Sequence, residues 1–193
     1  GEPLVAVLDV ADGVAPSMLD FAGISELVAQ APPDLASAML VIGLDLGGNL
    51  PPSLIGSTAV PDMSAMATEA ASRGELPPVG LALLGNTVGG PLEVDDAPVE
   101  LPPGTPDARA VAVLLMLTPE LAEAAVPVIE ERLETEESVE SGEPFAVTFP
   151  ERSVTAVPGT PVVTVDLALA PGVRPHVLTR MFFDRDLGFL AWW

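Results

Sequence analysis

The chain has 193 residues, 49% of them hydrophobic, and carries a net charge of −21 from 28 acidic and seven basic residues. That balance excludes the Lys/Arg footprint a nucleic-acid binder needs and any attraction to an anionic membrane surface. The hydrophobic share supplies a sizeable core and excludes a disordered acidic chain, and the absence of Cys removes disulfides, thiolate nucleophiles and Cys-held zinc or iron–sulfur centres.

All seven basic residues are Arg, there is one His, and Tyr is absent. This usage fits a high-GC bacterium, in which AT-rich Lys, Asn and Tyr codons are avoided. The longest apolar runs, such as residues 110–117, fall far short of the roughly 20 residues of a membrane helix. A cytoplasmic protein is expected. The start at Gly1 leaves a secreted or processed form open.

In chain order, residues 4–10 read as a buried strand. Pro16 opens a helix carrying Met18, Phe21, Ile24, Leu27 and Val28 at helical spacing, and Pro32-Pro33 stops it. Residues 38–46 form a second apolar run. Asp62 caps a helix with Met63, Met66, Ala67 and Ala70 on one face and Gly74 at its C-terminal turn. Residues 79–84 read as a strand. Residues 85–107, rich in Gly, Pro and acids, read as a long loop or hairpin and as a candidate internal half-domain boundary within a single 1–193 domain.

Residues 109–117 read as a buried strand. Thr118-Pro119-Glu120 is a strong helix start, with a capping hydroxyl, Pro at the first position and an acid near the positive dipole end. Leu121, Ala125, Val128, Ile129 and Leu133 make its apolar stripe, Glu120, Glu123, Glu130, Glu131, Glu134, Glu136 and Glu137 mostly take the other side, and Pro127 is expected to kink it. Residues 138–143 are a polar connection. Phe145, Val147 and Phe149, and then Val163, Val165, Leu167 and Leu169, alternate with smaller or polar residues as half-buried strands do. Residues 177–183 and 187–193 flank Asp184-Arg185-Asp186 as a last pair of strands.

The expected fold is therefore α+β: a mixed or mostly antiparallel sheet with about three helices, ending in an antiparallel C-terminal meander. Val5-Ala6-Val7-Leu8 and Val111-Ala112-Val113-Leu114 each lead to a helix that begins at a proline, which raises a duplicated strand–helix–strand unit.

Few constellations carry chemistry. Gly43-Leu44-Asp45-Leu46-Gly47-Gly48-Asn49 resembles, over seven residues, the first phosphate loop of the sugar kinase and actin-like ATPase superfamily. Asn49 stands where that loop has Thr or Ser, Pro51-Pro52 breaks the returning strand, and the chain has no Lys, so the string reads as a strand ending in a Gly-rich turn. Gly85-Asn86-Thr87-Val88-Gly89-Gly90 is followed by Pro91 and acids, not by the helix a phosphate cradle requires. His176 lacks a nucleophile elbow and has only Asp166, on a strand paired with its own, as an acidic neighbour. Asp9 and Asp12 stand between the first strand and the first helix and Asp45 ends the second candidate strand; if these strands are parallel neighbours, Asp9 and Asp45 share a sheet edge that can hold a divalent cation. Asp184-Arg185-Asp186 resembles the metal-holding acid pair of some glycosyltransferases, yet between two apolar strands it reads as a polar hairpin tip.

The C-terminal segment concentrates rare residues. Arg174 and Arg180 project to one face of a strand, and Phe182, Phe183, Trp192 and Trp193 supply half of the chain's eight aromatics. Aromatics of this kind mark interfaces. The leading expectation is a non-catalytic interaction or assembly domain that meets a protein partner, or another copy of itself, through this segment. The alternative is a metal-dependent or small-ligand enzyme using Asp9, Asp12 and Asp45, with His176 as a further candidate. No cofactor motif is present and no cofactor is expected.

Overall fold

A computed structural model describes residues 23–42, 63–88, 108–139, 142–171, 173, 177–178, 181 and 186–190. It is an α+β fold built on a five-stranded antiparallel sheet. The strands are β1 (Ser37–Ile42), β2 (Leu81–Asn86), β3 (Arg109–Leu115), β4 (Glu151–Ala156) and β5 (Val162–Ala168), in the order β1-β2-β3-β5-β4. The helices are α1 (Ile24–Gln30), α2 (Met63–Ser72), α3 (Pro119–Thr135) and the single turn α4 (Phe145–Thr148), followed by a 3₁₀ turn, Asp186–Leu190.

Burial along each strand follows from what covers its two faces. On one face Ala82, Leu84, Ala110, Ala112, Leu114, Val163, Val165 and Leu167 pack against Ala122, Ala125, Ile129 and Leu133 of α3 and against Phe145, Phe149, Leu178, Met181, Leu187 and Leu190. On the other, Ile24 and Leu27 of α1 cover Leu81, Leu83, Val111, Val113, Leu115 and Val162. β2 and β3 are therefore sandwiched, which suits continuous apolar runs. The contacts of α1 are with β2 and β3. β5 accordingly alternates, with Val163, Val165 and Leu167 buried and Thr164 and Asp166 half-buried. On β4 only Val154 is buried.

The α3 start is as the sequence predicts. Pro119 is the first helical residue, the Leu121 N–H donates to Thr118 Oγ1 at 3.3 Å, and Glu120 lies in the first turn. A cap of this kind contributes about 1 kcal/mol. Hydrogen bonding to its own backbone N–H and then to Thr118 holds the Glu120 carboxyl below its ordinary range. Ala125, Ile129 and Leu133 are buried, Leu121 and Val128 half-buried, and the glutamates exposed. Pro127 lies inside the helix. In α2, Ala67 and Ala70 are buried as predicted, and Gly74 (φ 71°) follows its last turn while the Glu75 N–H donates to the Ala70 carbonyl; the Asp62 cap lies outside the described residues.

Four local readings are corrected. Gly23 at φ 90° is not helical, so no single helix spans Pro16 to Gln30; α1 begins at Ile24, and residues 16–22 lie outside the described residues. Residues 145–149 are not a strand. Phe145 and Phe149, four apart, share one helical face and stack with ring centroids 6.3 Å apart, while Val147, which strand periodicity would bury with them, is 56% exposed. Among the described residues the last strands of the meander are β4 and β5. Beyond it, Val177, Leu178 and Met181 are helical, and Asp186–Leu190 is a 3₁₀ turn that buries Leu187 and Leu190 at the same three-residue spacing. Finally, the hairpin partner of β5 is β4, joined through Pro158-Gly159: the Thr160 N–H donates to the Val157 carbonyl and Gly159 sits at φ 72°, the geometry of a type II turn. The residues of the proposed duplication, Val5 to Leu8, lie outside the described residues.

Candidate functional site

Three polar arrangements stand out. The first lies where α3 crosses β4, the outer strand of the sheet. A cleft of about 400 Å³ opens between Glu130, Leu133 and Glu134 of α3 and Pro150, Arg152, Ser153 and Val154 at the β4 edge. Leu133 and Val154 at its base are almost wholly buried, and its helix rim is acidic, since Glu130 and Glu134 are exposed and one turn apart. Arg152 reaches in from β4. One guanidinium nitrogen donates to the Phe149 carbonyl at 3.2 Å and another pairs with Glu134. Glu130 has no ion-pair partner among the described residues.

The backbone of β4 at this cleft follows from the register. The Val157 N–H donates to the Val162 carbonyl at 2.8 Å, and pairing continues as Thr155↔Thr164, Ser153↔Asp166 and Glu151↔Ala168. Antiparallel pairs alternate between bonded and non-bonded. The N–H and C=O groups of Glu151, Ser153 and Thr155 therefore face β5, and those of Arg152, Val154 and Ala156 face outward. Among the described residues no strand pairs with that outer edge.

The second arrangement ties the opposite face together. Arg109 Nη1 donates to Asp166 Oδ2 and Nη2 to Asp34 Oδ2, each at 2.8 Å. One β3 guanidinium thus joins β5 to the segment after α1. Its backbone is held as well, with the Arg109 N–H donating to Thr87 Oγ1 and the Thr87 N–H to the Arg109 carbonyl. Burial pushes the Asp166 carboxyl above its ordinary value of 3.8; Arg109 opposes this and the Asp34 carboxylate adds to it. The folded state therefore binds this proton more tightly than the unfolded chain does. The contribution of Asp166 to stability is greatest below 3.8 and falls as pH rises from there to the raised value. In urea unfolding, Asp166→Asn should gain stability relative to the parent as pH rises through that window; a difference that shrinks with rising pH would contradict this.

The third is Asp186. It is buried, not at an exposed hairpin tip: its carboxylate accepts from Ser138 Oγ at 2.5 Å and from the Val139 N–H at 2.8 Å. It fastens the 3₁₀ turn to the connection after α3.

The residues singled out from sequence, Asp9, Asp12, Asp45, Arg174, His176, Arg180, Phe182, Phe183, Trp192 and Trp193, lie outside the described residues. The proposed strand partnership behind His176 and Asp166 is corrected, because both edges of β5 are taken by β3 and β4. Arg109, Asp34 and Arg152 were not foreseen as polar centres. The signal was the scarcity of Arg in so acidic a chain, which makes each one a point where charge must converge. Among the described residues, no group of three His, Asp or Glu side chains is placed to hold a metal ion, and no helix is long and apolar enough to cross a membrane. No protein-family model, curated protein or solved structure matches the chain.

Proposed function

We propose that this chain is a non-catalytic interaction domain and that its docking surface is the outer edge of β4. The observation that carries this reading is the row of outward backbone groups at Arg152, Val154 and Ala156 beside the cleft under α3. An extended segment added there gains main-chain hydrogen bonds, while the cleft supplies side-chain specificity. In the C-terminal segment, Leu178, Met181, Leu187 and Leu190 belong to the core, and the aromatic and Arg residues expected there as a docking surface lie outside the described residues.

Peptide selection on the immobilised domain, combined with a pair of proline variants, tests the reading. Ala156→Pro removes an outward donor and no β5 bond, so the fold should persist while selected peptides lose binding. Thr155→Pro removes a ladder bond and should cost about 1 kcal/mol or more by urea unfolding. Peptides that still bind Ala156→Pro at parental affinity would refute the β4 edge as the docking surface.

A further inference from the structure

The cleft has a chemistry that narrows the partner. Residues opposite one another on neighbouring antiparallel strands project to the same face of the sheet. Val154 points toward the α3 side, into the core formed with Leu133. A strand added beyond β4 therefore presents every second side chain to the cleft. There a long side chain meets an acidic rim, Glu130 and Glu134, above Leu133 and Val154, which are almost wholly buried. An acidic rim suits a side chain that ends in a cation. Arg152, the cation among the described lining residues, is engaged by Glu134 and the Phe149 carbonyl, so Glu130 is the lining carboxylate without an ion-pair partner among the described residues. The surroundings reinforce this: α3 also exposes Glu120, Glu123 and Glu131, and the chain carries a net charge of −21.

We infer that the β4 edge takes an extended segment of another protein bearing Lys or Arg at the position facing the cleft, with Glu130 as its counter-ion. A second copy of this chain is the wrong occupant, because two chains that each carry a net charge of −21 repel. This inference rests on the proposed role of the β4 edge.

Three short peptides test it against the intact chain: threonine alternating with lysine, the same with glutamine for lysine, and the same with glutamate. Affinity is read by titration and location by amide exchange at Arg152, Val154 and Ala156. The lysine peptide should bind about 10-fold more tightly than the glutamine peptide at low salt, with the margin shrinking as salt is added. Glu130→Gln should cut that preference to about 2–3-fold. Glu26→Gln, on α1 at the opposite face, should leave it unchanged. Equal edge protection by the glutamine or glutamate peptide would overturn the basic-partner inference and leave the edge reading standing. Lysine-peptide binding without protection of those three amides would be diffuse attraction and would also overturn the inference. No protection by any of the three would overturn the edge reading with it.

Discussion

Phe149→Ala should destabilise the domain by about 3–5 kcal/mol, the loss typical of a large aromatic removed from a core. Phe149 is fully buried, stacks on Phe145 at an interplanar angle of 7°, and sits in the same core as Leu133 and Val154. Stacking of this kind adds about 0.5–1.5 kcal/mol beyond burial. Against a total stability of about 5–15 kcal/mol for an ordinary domain, the loss is a large fraction. Urea unfolding followed by far-ultraviolet circular dichroism measures it. A change below about 1 kcal/mol would show that the Phe149 ring does not fill this core. The same change should loosen the cleft, because the Phe149 carbonyl and Glu134 together orient Arg152.

The second large effect is expected at Asp186. Its carboxylate accepts from a hydroxyl and a backbone N–H at a site shielded from water, and hydrogen bonds to charged groups contribute about 1.5–3 kcal/mol. Asp186→Ala should therefore cost about 2–3 kcal/mol in the same assay. Asp186→Asn, which keeps an acceptor oxygen, should cost less. Equal stability of Asp186→Ala and the parent would mean that the 3₁₀ turn is not fastened to Ser138 and Val139 through this side chain.

Sequence pattern revealed the covered elements best. β2 and β3 read as continuous apolar runs because helices cover both their faces, and β5 alternates because only one of its faces is fully covered. The α3 start was legible because capping acts between residues three apart. β4 was not legible: Glu151, Arg152, Ser153 and Thr155 surround a single buried Val154, and an outer strand needs no more than that. The segment from Phe145 to Phe149 was misread because both spacings fit it. Phe145, Val147 and Phe149 satisfy a period of two, and Phe145 with Phe149 satisfies a helical turn. Only the exposure of Val147 separates the two. The same holds farther on, where Leu178 with Met181 and Leu187 with Leu190 are three apart within runs apolar enough to pass for strands.

The candidate site was illegible for a related reason. It consists of a polar outer strand, a helix rim whose glutamates look like ordinary solvated surface, and Arg152, whose carboxylate partner Glu134 is 18 positions away; the same holds on the opposite face. Arg109 meets Asp34 and Asp166 across 75 and 57 positions, a relation fixed by strand order and not by local pattern.

Amide hydrogen exchange along β4 in the isolated protein tests the central claim most directly. The register predicts alternation: the N–H groups of Ser153 and Thr155, bonded to β5, exchange slowly, while those of Arg152, Val154 and Ala156 exchange far faster. Protection of Arg152, Val154 and Ala156 equal to that of Ser153 and Thr155, with no partner added, would mean that the edge is already covered and would contradict its role as a docking surface.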